Sequence, residues 1–154
     1  MSLKKLFLKN KLTYKIYLYY NLYIRHKGLL NRKQYSQWGE DKFILKYFME
    51  KKNGTYLDIG CFNPFMYSNT CLLFQRGWNG INIDINPTSI DLFNIARPQD
   101  VNICTLINEK KKIFKIYLDD FFSPINTINE KFYKKLKGNF FKDKKLLTVE
   151  SMSI

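Results

Sequence analysis

The chain has 154 residues, of which 45% are hydrophobic and 17% aromatic, so a globally disordered protein is excluded despite a formal net charge of +13. The charge lies at the two ends: residues 1–35 contain nine Lys or Arg and no acid, residues 36–109 contain six basic and eight acidic residues, and residues 110–154 contain eleven basic and five acidic residues. A general polyanion binder would carry its positive charge over the folded core, and the near-neutral centre argues against one.

Residues 1–34 are predicted to form a basic amphipathic helix and a linker. Within residues 3–24, apolar side chains recur at roughly helical spacing with lysines between them. Two interpretations stay open: the helix lies on a membrane surface, or it packs on the domain. The segment has no signal-peptide cleavage pattern, and no apolar run in the chain is long enough to predict a transmembrane helix. We therefore expect a cytoplasmic protein, with peripheral membrane contact through this helix as the alternative.

Residues 35–154 are predicted to form one α/β domain. Helical and strand patterns alternate at βαβ spacing, which predicts a parallel sheet with helices on both faces. Asn86-Pro87 is a strong helix start, since a capping residue is followed by proline at the first helical position. Helices are expected over residues 36–52, 68–77, 86–97 and 127–137, and strands over residues 55–60, 81–84, 101–107, 113–118 and 145–150.

Three acids and one glycine follow the predicted strands in the order that a nucleotide-type cofactor requires. Asp58 and Gly60 end the first strand, where glycine lets the backbone approach a ligand closely. Asp84 ends the second strand, where an acid can accept hydrogen bonds from both ribose hydroxyls. Asp100 precedes the third strand and could accept from an adenine amino group. Each acid alone also has an ordinary structural explanation, such as capping a helix or forming a turn.

The same chain lacks the signatures of several other enzyme classes. It has neither the three-glycine fingerprint of a hydride-transfer enzyme nor the Gly-Lys-Ser/Thr sequence of a P-loop kinase. Its three cysteines form no CxxC pair, and His26 is its one histidine, so no metal site is expected.

Five ordered sequence blocks resemble the FkbM family of S-adenosylmethionine-dependent methyltransferases. The resemblance spans about residues 35–107 without a gap, and a fainter one continues to about residue 150. The blocks are Ser36–Asp41 (SQWGED), Tyr56–Phe65 (YLDIGCFNPF), Tyr67–Thr70 (YSNT), Gly77–Pro87 (GWNGINIDINP) and Arg97–Asp100 (RPQD). The resemblance implies a Rossmann-like class I methyltransferase fold, S-adenosylmethionine as the methyl donor and a hydroxyl acceptor on a sugar, a glycan or a related product.

The resemblance also implies roles for individual residues. Asp58 and Gly60 would line the methionine end of the cofactor, Asp84 would bind the ribose, and Asp100 would lie near the adenine. Further residues would border the pocket: Gln37, Glu40, Ser68, Asn69 and Thr70. The Ser68–Thr70 turn opens a predicted helix, and its hydroxyls and N–H groups would suit a carboxylate.

A complete fold of this class, as the resemblance implies, needs about seven strands and more than 200 residues, so the sequence predicts an incomplete domain. The family's later acidic block has no counterpart here, and no catalytic residue can be assigned, since a general base must reach the proton that it takes. An incomplete sheet would expose an edge. We therefore expect self-association and weak or absent activity. Two alternatives remain open: a non-catalytic cofactor-binding remnant, and a basic module that binds a membrane or a glycan.

Overall fold

The structure is a computed structural model that describes residues 10–120, 122–137 and 145–153. The part of the predicted N-terminal helix before residue 10 lies outside the described residues. The helices are α1 (Lys11–Tyr19), α2 (Glu40–Tyr47), α3 (Cys71–Gln75), α4 (Pro87–Ala96) and α5 (Glu130–Leu136). The strands are β1 (Thr55–Ile59), β2 (Asn79–Asp84), β3 (Val101–Cys104), β4 (Leu106–Asn108), β5 (Ile113–Leu118) and β6 (Lys145–Ser153). Helix α1 continues into a π-helix (Tyr20–Arg25), which a 3-10 turn (Lys27–Leu29) follows.

Helix α2 begins at Glu40, four residues later than the sequence predicts. Gly39 has a φ of 95°, a left-handed conformation that L side chains rarely adopt and that stops the helix from extending backwards. The predicted cap is nevertheless present, because the hydroxyl of Ser36 accepts hydrogen bonds from the N–H groups of Gly39 and Asp41 at 3.0 and 3.3 Å. Ser36 thus caps the helix from outside its first turn.

The predicted start of α4 is confirmed. Pro87 occupies the first helical position, and the side chain of Asn86 accepts from the N–H of Thr88 at 3.1 Å. The strand predicted over residues 101–107 is instead broken in two at Thr105. The N–H of Thr105 donates to the carbonyl of Asp84 at 3.0 Å, which keeps the chain beside the end of β2 before β4 diverges.

The predicted parallel sheet is present as three strands in the order β1-β2-β3. Asp58 is paired with Asn82, Ile59 with Ile83, and Asp84 with Cys104, so β1 and β2 end at the same edge. A second sheet has the order β4-β6-β5, in which β6 is parallel to β4 and antiparallel to β5. The chain is therefore an α/β protein, compatible with a Rossmann-like fold.

The described helices leave one face of the parallel sheet uncovered, unlike the expected arrangement with helices on both faces. Helix α4 packs against β2 and β3. On that side Tyr56 and Asn82 both bond to Asp100. On the opposite side, Leu57 and Val101 are 57% and 56% exposed. Along each strand, the exposed side chains alternate with the side chains on the face that α4 covers. In the described part of the chain, cover by a helix is therefore seen on one face of the sheet, and the apolar side chains of the other face are left exposed.

Helix α1 packs on the domain, as one of the two interpretations of the N-terminal segment requires. Leu18 and Leu22 form a buried cluster with Leu92 of α4. Tyr14 adds a hydrogen bond of 2.8 Å from its hydroxyl to the carboxylate of Asp91, also on α4. In the described ranges, every helix is too short or too polar to cross a bilayer.

Candidate functional site

A cleft with a volume of about 300 Å³ opens at the carboxyl edge of the parallel sheet. In open α/β sheets, ligands bind beyond the carboxyl ends of the strands. The walls come from the ends of β1 and β2, from β4 and from the loop after β5. The residues that line it include Gly60, Asp84, Ile85, Leu106, Ile107 and Asn126. The volume is at the lower end of the range for small-molecule sites.

Gly60 forms the turn that leaves β1 and enters the cleft wall. Its φ is 77°, a conformation that glycine adopts without strain. Its N–H donates to the carbonyl of Ile83 at 2.8 Å, which fixes the turn against β2. A Cβ added to Gly60 would meet no atom within 4 Å apart from those of its two chain neighbours. The glycine therefore leaves open space at the backbone, as a closely approaching ligand requires.

Asp84 places a buried carboxylate in the same cleft. One oxygen accepts from the N–H of Phe62 at 2.9 Å, and the other accepts from the N–H of Asn86 at 2.7 Å. Burial raises the pKa of Asp84 above its ordinary value, and these backbone N–H groups partly oppose the rise. A carboxylate has about four lone-pair sites. Asp84 can therefore accept further hydrogen bonds from a ligand while it holds the loop after β1.

Asp58 lies near the same edge as Asp84, but its side chain is held by the neighbouring turn and does not line the cleft. Its carboxylate accepts from the hydroxyl of Thr70 at 2.7 Å. Burial raises the pKa of Asp58, while the Thr70 hydrogen bond and the nearby charge of Arg97 oppose the rise. Asp58 lies within β1 with its carboxylate held by Thr70, whereas Gly60 follows the strand and turns into the cleft, so the two residues face different surroundings although they are only two positions apart.

The Ser68–Thr70 turn is organised by Arg97 and is not free to receive a carboxylate. The guanidinium of Arg97 donates to the hydroxyls of Thr70 and Ser68 at 2.9 and 3.0 Å. Ser68 and Thr70 are buried, whereas Asn69 is exposed. Helix α3, which follows the turn, has only five residues, so its dipole adds little attraction for an anion.

Arg97 is the residue that sequence reasoning missed. It has no exposed surface, and its guanidinium carbon lies 5.0 and 4.9 Å from the ring centroids of Phe74 and Phe93. It also donates to the carbonyl of Pro64 in the loop after β1. The only signal in the sequence was its place in the RPQD block. Its buried position follows from the way α4 ends, and no local pattern predicts it.

Asp100 lies at the opposite end of the sheet from the cleft. Its carboxylate accepts from the N–H of Gly80 at 3.0 Å and from the side chain of Asn82 at 2.9 Å. These bonds tie the start of β3 to the start of β2. The hydroxyl of Tyr56 also donates to this carboxylate, and burial together with that hydrogen bond raises the pKa of Tyr56. The structure does not bring Asp100 to Asp84 and Gly60.

Gln37 and Glu40 are exposed and line no part of the cleft. The carboxylate of Glu40 accepts from the N–H of Trp38 at 2.8 Å. Hydrogen bonds from backbone N–H groups, its own first and that of Trp38 next, lower the pKa of Glu40. The SQWGED block has a structural role in this fold. Buried Asp41 accepts from the hydroxyl of Ser36 at 2.6 Å and caps the turn that opens α2.

Chemically, the cleft combines one acid, open backbone and apolar walls. Among the described residues that line it, Asp84 has the one ionisable side chain. An acid of this kind can accept hydrogen bonds from paired hydroxyls, and apolar side chains can cover a flat ring. Of the nine predicted site residues, the structure brings Gly60 and Asp84 together in one cleft and places Asp58 behind it.

Comparison of the chain with models of protein families, with curated proteins and with solved structures finds no match.

Proposed function

We propose that the chain binds S-adenosylmethionine in this cleft and is a methyltransferase of FkbM type that acts on a hydroxyl group of a sugar, a glycan or a related acceptor. The observation that carries the proposal is that the open turn at Gly60 and the carboxylate of Asp84 line one cleft at the carboxyl edge. Two neighbouring parallel strands supply them, as expected for a site that holds a ribose and the groups attached to it.

The residues of the cleft fit the adenosyl part of this cofactor. Asp84 retains acceptor capacity for ribose hydroxyls, and Gly60 leaves room for close backbone approach. Ile85, Leu106 and Ile107 provide apolar surface for the adenine. The bound cofactor supplies an electrophilic methyl group on a sulfonium centre. The contribution of the chain is to bind and orient, and positioning of this kind accounts for much of the rate of a direct transfer.

Among the described residues that line the cleft, Asp84 is the one ionisable side chain, and because the proposal assigns it to the ribose, none of them is left to take the proton of an acceptor hydroxyl. This observation favours a second candidate function, in which the chain binds the cofactor without catalysing transfer. The two functions share the same cofactor site and differ in turnover. Release of S-adenosylhomocysteine in the presence of hydroxyl acceptors would support the methyltransferase. Binding of S-adenosylmethionine without release of S-adenosylhomocysteine would support the non-catalytic binding protein.

Titration calorimetry with S-adenosylmethionine tests the proposal, and a substitution that fills the cleft is the sharpest variant. Leu106→Trp should weaken binding by about tenfold or more, because the indole occupies space that the adenine needs. Leu12→Trp is the matched control, since Leu12 is 67% exposed on α1, outside the cleft. Equal affinity of the two variants, or no heat of binding for the unaltered chain, would refute the cofactor site.

A second copy of the chain is the partner that we propose for the uncovered sheet face. Among the described strands, β1 pairs only with β2, and its free edge can template another strand. Leu57 on β1 and Val101 on β3 add exposed apolar surface to the same sheet. Sedimentation velocity should therefore show association that rises with protein concentration. Leu57→Lys should reduce it, whereas Leu12→Lys on α1 should not. A chain that is monomeric at every concentration would contradict this prediction.

A further inference from the structure

A stripe of exposed apolar and aromatic side chains runs along the outer side of the N-terminal helix. The stripe consists of Leu12, Ile16, Tyr19, Tyr20, Tyr23 and Ile24, which are between 38 and 67% exposed. Their spacing follows steps of three or four residues, so they share one side of α1 and the π-helix that continues it. The rings of Tyr19 and Tyr23 lie 5.9 Å apart.

The opposite side of the same helix is already occupied. Leu18 and Leu22 are buried against Leu92 of α4, and Tyr14 bonds to Asp91. The helix is therefore held along the surface of the domain, with the stripe facing outward. An outward apolar stripe adds nothing to the packing of the described domain. Six such side chains in one row suggest a binding surface, because single exposed apolar residues are usual but contiguous ones are not.

The helix that carries the stripe contributes positive charges only, and Asp91 of α4, which lies beside Lys11 and Lys15, is hydrogen-bonded to Tyr14. Lys15 lies within one helical turn of Leu12 and of Tyr19, and Lys11 lies one turn before Lys15. Residues 1–35 contain nine Lys or Arg and no acid, so the helix has no acid of its own to neutralise these cations. A suitable partner therefore presents negative charge next to apolar material.

We propose that this stripe docks the protein on an anionic lipid bilayer. Leu12 and Ile16 would enter the boundary between headgroups and acyl chains, and the lysines would face anionic headgroups. Tyrosine is enriched at this depth of a membrane because its ring is apolar and its hydroxyl is polar. A second copy of the chain would bring lysines against lysines, and a nucleic acid would leave the apolar side chains without a partner. This inference does not depend on the proposed methyltransferase function.

Co-sedimentation of the full chain with vesicles tests this docking. Vesicles of phosphatidylcholine mixed with phosphatidylglycerol should bind the chain, vesicles of phosphatidylcholine alone should bind it far more weakly, and added salt should release it. Ile16→Asp should lower the partition coefficient by about tenfold or more, because it removes apolar contact and adds a repelled charge. Ile113→Asp is the matched control, since Ile113 is 75% exposed on β5 and outside the stripe. It should change the coefficient by less than about twofold.

The contribution of charge is tested separately from that of the apolar surface. The double variant Lys11→Gln/Lys15→Gln should weaken binding to the anionic vesicles by about tenfold, and Lys51→Gln/Lys52→Gln, which removes two exposed lysines after α2, should weaken it less. Equal binding of the Ile16→Asp and Ile113→Asp variants would overturn the proposal, as would equal binding to charged and neutral vesicles. Self-association that Ile16→Asp abolishes, without vesicle binding, would assign the stripe to a second copy and also overturn it.

Discussion

Replacing Arg97 with alanine is expected to lower the free energy of unfolding by about 3–5 kcal/mol, a large part of the total stability of an ordinary domain. The guanidinium is fully buried, donates to groups on the loop after β1 and on the Ser68–Thr70 turn, and lies between the rings of Phe74 and Phe93. Alanine would remove these contacts and leave buried acceptors without donors.

The loss would extend to two acids, the half-buried Asp58 and the buried Asp100. Thr70 donates to Asp58 and also accepts from Arg97, and Tyr56 connects Arg97 to Asp100 in the same way. Without the guanidinium, Asp58 would lose the nearby positive charge that opposes the effect of its burial, and Thr70 and Tyr56 would each lose a donor. Arg97→Lys should lower the free energy of unfolding almost as much, because a single ammonium group cannot replace the hydrogen bonds that the planar guanidinium donates in several directions.

Urea unfolding followed by circular dichroism measures both variants. Arg76→Ala is the matched control, since the exposed Arg76 makes one hydrogen bond, to the carbonyl of Met49 at 2.9 Å, and its loss should cost only about 0.5 kcal/mol. If Arg97→Ala is too unstable to purify, Arg97→Lys provides the measurement. A loss of less than about 1 kcal/mol in both variants would contradict a central structural role for Arg97.

The regular elements could be predicted from local patterns, because their causes are local. The capped and proline-started helix α4 and the short apolar strands β1 and β2 lie within a residue or two of the predicted bounds. The start of α2 was predicted too early, because the left-handed conformation of Gly39 cannot be distinguished by sequence from a glycine inside a first turn. The break at Thr105 depends on a hydrogen bond to the end of β2, a contact 21 residues back along the chain.

The candidate site was predictable only where the topology alone determines position. Asp84 and Gly60 end adjacent parallel strands, and parallel strands bring their carboxyl ends to one edge. Asp100 begins a strand instead, so the same rule puts it at the other edge, where it ties β2 to β3. Whether a residue at the carboxyl edge lines the cleft also depends on the direction of its side chain. Asp58 is one residue from the end of β1, yet its carboxylate turns to Thr70 behind the cleft.

Asp84→Asn is expected to weaken S-adenosylmethionine binding by about a hundredfold, or about 3 kcal/mol, if the proposed function is right. The negative carboxylate would accept from both ribose hydroxyls in a largely buried setting, where charged hydrogen bonds contribute most. The amide has one acceptor oxygen, and the N–H groups of Phe62 and Asn86 compete for it. Its NH₂ group, moreover, cannot accept from a hydroxyl.

The matched control is Asp91→Asn, which makes the same change in a partly buried acid that bonds to Tyr14 on the far side of α4. Titration calorimetry on both variants, with urea unfolding to establish that each is folded, separates loss of the ligand contact from loss of the fold. A folded Asp84→Asn protein with unchanged affinity would remove the ribose role from Asp84. If Asp84→Asn loses affinity while Asp91→Asn does not, and Leu106→Trp loses affinity as well, the cofactor is assigned to the cleft that Asp84 and Leu106 both line.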